Sequence, residues 1–164
     1  MRKFILIAAL TLPVAAMAEP LVSTDPYPEP GSTVYVNLPA GAVEITENTV
    51  EGFGLFAHAG SDQEVLLASQ YLPRVLVVEG DSALLEMYTG GNACPVMFAW
   101  ITYADGILHS SGEFGTCAEE GDYVVENGLP VFTLGDLEDE SAAIAYRYDP
   151  ATAQITERPV EMTR

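Results

Sequence analysis

From Ser32 onward the chain alternates short apolar runs with compact turn signals, and no long stretch carries helical periodicity. The clearest unit lies between Cys94 and Cys117. Val96-Met97-Phe98-Ala99-Trp100-Ile101-Thr102-Tyr103 is apolar, β-branched and aromatic, meets Asp105-Gly106, and returns through Ile107-Leu108-His109-Ser110-Ser111. Asp-Gly suits a two-residue type I′ turn, because both central residues there need positive φ. With that turn, opposed residues have numbers summing to 211, which places Cys94 across from Cys117. Gly112 and Gly115 signal a bulge in the returning arm, able to shift the register by one.

The same punctuation recurs on either side. Ser32 to Asn37 and Ala42 to Thr46 flank Pro39-Ala40-Gly41, and a third apolar stretch runs from Phe53 to Ala57. Arg74 to Glu79 and Ser82 to Tyr88 flank Gly80-Asp81, whose Gly-first order fits a type II′ turn. Asp122 to Glu126 and Leu129 to Leu134 flank Asn127-Gly128, another type I′ signal. Ser141 to Tyr148 and Ala153 to Glu157 enclose the longer turn Asp149-Pro150-Ala151-Thr152. One segment reads both ways. Ser61-Asp62-Gln63-Glu64 is a capping box that would start a short helix from Val65 to Leu72, stopped before Pro73, while Glu64 to Ser69 reads equally as a strand.

Within the central run, Val96, Phe98 and Trp100 fall on one face and Met97, Ala99, Ile101 and Tyr103 on the other. A strand apolar on both faces belongs in the middle of the fold, with a sheet on one side and a loop or helix on the other. The pattern therefore predicts a mainly β domain over residues 32–164, an antiparallel meander of hairpins with at most one short helix and one disulfide. A curled sheet or small barrel is the first expectation and a two-sheet sandwich the second.

Residues 1–18 read as an export leader: basic Arg2-Lys3, apolar Phe4 to Leu12, and small-x-small Ala16-Met17-Ala18. The mature chain then begins at Glu19 and is expected in the periplasm or outside the cell, with nothing later long and apolar enough for a transmembrane helix. Residues 19–31, with Pro20, Pro26, Pro28 and Pro30, are expected to form an extended exposed tether outside the core. An oxidising compartment lets a Cys94–Cys117 bridge persist. Without a Cys-x-x-Cys pair or a histidine at ligand spacing, the two cysteines read as a structural staple.

Loss of the leader removes Arg2 and Lys3. It leaves Arg74, Arg147, Arg158 and Arg164 against 24 acidic residues, a formal charge of −20. Such a surface repels nucleic acid and anionic lipid, and attracts cationic proteins or peptides and divalent metals. The same acidity also serves plain solubility.

Candidate chemistry is sparse. His109 stands opposite Thr102 in the unbulged register and shares a face with Ser111 and Glu113, but side chains at alternate positions project in parallel and do not converge as a nucleophile and its base must. No Gly-x-Ser-x-Gly elbow supports a hydrolase. His58 reads as a loop residue, and Trp100, Tyr103, Phe98 and Phe114 read as core. Asp136, Glu138, Asp139 and Glu140 form the densest acidic run, without the spacing of an EF-hand loop, and Glu119, Glu120 and Asp122 form a second cluster just after Cys117. Together these make a candidate rim for steering a cationic partner. No cofactor and no metal centre is predicted.

Gly90-Gly91-Asn92-Ala93-Cys94-Pro95, followed by Glu113-Phe114-Gly115-Thr116-Cys117, resembles the Cys-Pro and Phe-Gly-Thr-Cys framework of a group of small, uncharacterised exported proteins of proteobacteria. The likeness extends from Gly90 to about Leu134 and brings no activity with it. The general plan is also similar to that of periplasmic lysozyme-inhibitor families, compact β-barrels with a disulfide, although their inhibitory loop motif has no counterpart here. The expectation is an exported, non-enzymatic β domain that binds a cationic macromolecule of the envelope, such as an enzyme it restrains. The alternatives are a structural envelope protein and, from another class, a hydrolase built on Ser111 and His109.

Overall fold

A computed structural model describes residues 19–21, 26–47, 54–67, 69, 71–139 and 141–161, and every regular element among them is a strand. A short strand β1 (Glu19–Leu21) precedes three consecutive meanders. The first is β2 (Val34–Leu38), β3 (Gly41–Glu47), β4 (Leu55–Ala59) and β5 (Gln63–Leu67). The second is β6 (Arg74–Glu79), β7 (Ser82–Tyr88), β8 (Val96–Ala104) and β9 (Ile107–Phe114). The third is β10 (Gly121–Glu126), β11 (Leu129–Gly135), β12 (Ala142–Asp149) and β13 (Gln154–Glu161), with β1 added antiparallel along β10.

The turn chemistry sets the hairpins. Asp105 and Gly106 take φ of +52° and +76°, and Asn127 and Gly128 take +52° and +80°, as type I′ turns require. From Ala104↔Ile107 to Ile101↔Ser110 the β8–β9 register follows the turn; beyond Trp100 it slips by one, to Ala99↔Glu113. Gly112, at φ +74°, supplies the backbone for that bulge. The Ser111 hydroxyl secures it, accepting from the Trp100 N–H at 2.9 Å and donating to the Gly112 carbonyl at 2.7 Å. Cys94 and Cys117 are joined beyond the end of the ladder, with Cα atoms 4.6 Å apart.

The ambiguous segment is a strand. In β5, Leu67 is buried and Val65 packs on the core, while Leu66 between them is exposed. That is a period of two, pairing with β4, and a helix would scatter these positions around its axis.

The second meander is the middle layer, so the sandwich has three sheets. One core joins it to the first meander and is almost wholly aliphatic: Val36, Val43, Ile45, Leu55, Ala57 and Ala59 pack against Ala83, Leu85, Ile101 and Leu108. The other joins it to the third meander and is rich in rings: Phe98, Trp100 and Phe114 pack against Phe132, Tyr146 and Tyr148. Strand β8 serves both cores, Ala99 and Ile101 lying on one face and Phe98 and Trp100 on the other. The expected loop or helix cover is thus a complete sheet, because β7 is as buried as β8 along Ser82–Met87 and both strands need partners on each side.

Residues 19–21 and 27 of the proline-rich lead-in contact the sheets. β1 pairs with β10 through Glu19↔Tyr123 and Leu21↔Gly121. Tyr27 is half-buried: its hydroxyl donates to the buried Glu86 carboxylate, and its ring lies 5.5 Å from that of Tyr88. An aromatic side chain with a polar tip thus finds both an apolar wall and a buried acceptor on the middle sheet.

Candidate functional site

The bridge holds the segment after β9 against the start of β8, and short hydrogen bonds fix both flanks. Thr116 Oγ1 donates to the Gly135 carbonyl at 2.6 Å, tying this connection to the end of β11. Across the bridge, the Thr89 hydroxyl donates to the Cys94 carbonyl and the Thr89 N–H to the Pro95 carbonyl at 2.9 Å. Gly121 opens β10 without a side chain for a steric reason: a Cβ there would stand 2.5 Å from the Phe132 ring and 2.8 Å from Leu134. The chain can therefore descend close to β11.

These constraints leave a groove of about 730 Å³ beside the bridge. Pro95, Cys117 and Ala118 form one wall, and Thr133, Gly135 and Ala143 present small groups from β11 and β12. Glu119, Glu120 and Asp122 line it, and Leu137, 61% exposed, stands at its edge. No lysine or arginine lines it among the described residues. A carboxylate-lined concavity with an apolar lip suits a cationic side chain carried on an aliphatic stem.

The two acidic clusters read from the sequence come together in part. Glu119, Glu120 and Asp122 are in the groove. Asp136, Glu138 and Asp139 lie on the β11–β12 connection, whose Gly135 and Leu137 line it. Some of that second cluster's capacity is spent on its own turn. Asp136 Oδ1 accepts the Glu138 N–H at 2.9 Å, and Asp139 Oδ1 accepts the Ser141 hydroxyl at 2.6 Å and its N–H at 2.9 Å. The Ser141 bonds hold the Asp139 carboxyl below its usual range. Glu140 lies outside the described residues. Among those described, no group of three or more His, Cys, Asp or Glu gathers to hold a metal ion.

The Ser111–His109 pair is not assembled. Ser111 Oγ is committed to the backbone of the bulge, and no hydrogen bond joins it to His109, which is exposed opposite Thr102. Glu113 is exposed opposite Ala99. His58 is a correction: it sits within β4, opposite Glu64, with Nδ1 3.2 Å from Glu64 Oε2. Phe56 and His58 face outward because the intervening Ala57 is fully buried. Trp100 is fully buried and stacks on Tyr148, centroids 5.2 Å apart at 4°.

Sequence reasoning missed the most unusual polar group. Glu86 is 2% exposed in the middle of β7 and pairs with Arg74 directly opposite on β6. A signal was present: one of only four arginines after residue 18 lies across the Gly80-Asp81 turn from a glutamate embedded in an apolar run. A one-residue irregularity between Val75 and Val77 brings the two into register. No family model, no curated protein and no solved structure matches the chain.

Proposed function

We propose that this protein is an exported, non-catalytic binding module that holds a cationic segment of an envelope macromolecule in the groove beside the Cys94–Cys117 bridge. The observation that carries the reading is the convergence of Glu119, Glu120 and Asp122 on one concavity with no lysine or arginine lining it among the described residues. The formal charge of −18, or −20 once residues 1–18 are removed, supports it, since a field of one sign raises the local concentration and association rate of an oppositely charged partner. The disulfide supports the oxidising location.

The test is capture of basic envelope proteins on immobilised protein across a salt series. A defined basic partner, released as ionic strength shortens the Debye length below about 8 Å, supports the reading. An eluate unchanged by salt, or empty at low salt, sinks it and leaves the acidity as a solubility trait.

A further inference from the structure

We propose that Arg74, Glu86 and Tyr88 form a phenol-binding site, occupied in this chain by its own Tyr27, so that the proline-flanked N-terminal segment is a latch a competing phenol can displace. The site is built independently of its occupant. Glu86 and Arg74 are positioned by opposed strands of the middle sheet, and Tyr88 follows two residues after Glu86 on the same face. Glu86 is 2% exposed and Arg74 has 18% of its side chain accessible.

The occupant meets every element of it. The Tyr27 hydroxyl donates to Glu86 Oε1, the Arg74 Nη2 stands 3.4 Å from the same hydroxyl, and the guanidinium carbon lies 4.1 Å from the ring centroid. Tyr88 walls the ring at 5.5 Å, and Tyr71 extends the aromatic surface 5.2 Å beyond Tyr88. A phenol satisfies all of this at once, offering a donor to the carboxylate, an acceptor to the guanidinium and a π face to its charge. A plain aromatic ring offers only the last.

Presentation from Pro26-Tyr27-Pro28 is what makes the contact a latch. Prolines fix φ and forgo backbone donors, and among the described residues 26–28 the contacts with the middle sheet run through the Tyr27 side chain. Removing that side chain frees a defined space without cutting a ladder.

The experiment is chemical rescue of Tyr27→Ala with p-cresol, using toluene as the ring without the hydroxyl. The expected result is a saturable rise in Tm of about 2–4 °C with p-cresol, none with toluene, and none for either in Tyr27→Ala/Glu86→Gln. Equal rescue by both compounds would show a merely apolar gap, and rescue by neither would show no site; each overturns the proposal. Tyr27→Phe covers the case in which the alanine variant fails to fold. It keeps the ring and deletes the donor, and a nonspecific protease should then nick the segment around Pro26 several-fold faster than in the parent. An unchanged rate would contradict the latch.

Discussion

The two outer sheets cover opposite faces of one middle sheet and do so by different means. The first meander is seated on small and branched aliphatic groups, with Ala57, Ala59 and Ala83 letting the layers approach. The third is seated on rings, several of which carry a polar tip that reaches across. Tyr148 OH lies 2.7 Å from Thr102 Oγ1, which is 2.7 Å from Ser82 Oγ, a buried hydroxyl chain between the third and middle sheets. Tyr123 OH donates to Glu79 Oε2 at 3.1 Å in the same direction. One interface is specified mainly by volume, its side-chain bonds being the long ones from the Leu108 N–H to Gln63 Oε1 at 3.4 Å and from the Ser69 hydroxyl to the Tyr88 carbonyl at 3.5 Å, and the other by short directional bonds as well. The side with fixed orientation is also the side that carries the bridge and the groove.

That contrast can be broken first at β8. Trp100→Ala should cost about 5 kcal/mol, whereas Ile101→Val on the opposite face should cost about 1 kcal/mol, both measured by urea unfolding. Comparable losses would mean that the ring side has no special role. Next comes the pair that crosses the middle sheet itself. Glu86→Ala removes the buried carboxylate that both Arg74 and Tyr27 meet and should cost about 4 kcal/mol, with Tyr27 released at the same time. A loss below 1 kcal/mol would show that Arg74 and Tyr27 are satisfied without Glu86.

Replacing both cysteines by serine opens a loop spanning a sequence separation of 23 and should cost about 3 kcal/mol. The same change should loosen hydrogen-exchange protection in β10 more than in β3, because the bridge closes the connection into the third sheet.

The smallest effect is alkaline. Burial, then Glu157 and Asp136, push the Tyr146 hydroxyl up to about 12. An unfolded tyrosine ionises near 10, so between about pH 10 and 12 the folded chain keeps a proton that the unfolded chain has lost. Stability from this group is complete below pH 10 and falls as pH rises through that window. Tyrosinate absorbance should accordingly lag in the native protein, and Tyr146→Phe should flatten the loss.

Much of the architecture was legible because local chemistry dictated it. Asp105-Gly106 and Asn127-Gly128 admit few backbones other than the I′ turns they form, and two-sided apolarity placed β8 in the middle. The third layer was not legible, because Ala83-Leu84-Leu85 states that both faces are covered without saying by what. His58 was misplaced for a related reason. Ala57 and Ala59 carry too little hydrophobicity to mark an alternating strand, yet their smallness is what the tight aliphatic interface requires. The acidic clusters were visible as composition, but only the fold brings Glu119, Glu120 and Asp122 to one groove. Tyr27 was hidden by its prolines, which describe the segment's backbone and not the destination of its side chain.

The central claim is that position, not total charge, makes the groove a site. The direct test compares Glu119→Gln/Glu120→Gln/Asp122→Asn with Glu44→Gln/Glu47→Gln/Glu64→Gln on the first meander, two variants of identical net charge. Binding of an oligolysine peptide at physiological salt is measured for both. The account predicts that the groove variant loses at least tenfold in affinity while the first-meander variant stays within twofold of the parent. Equal losses in the two would contradict it.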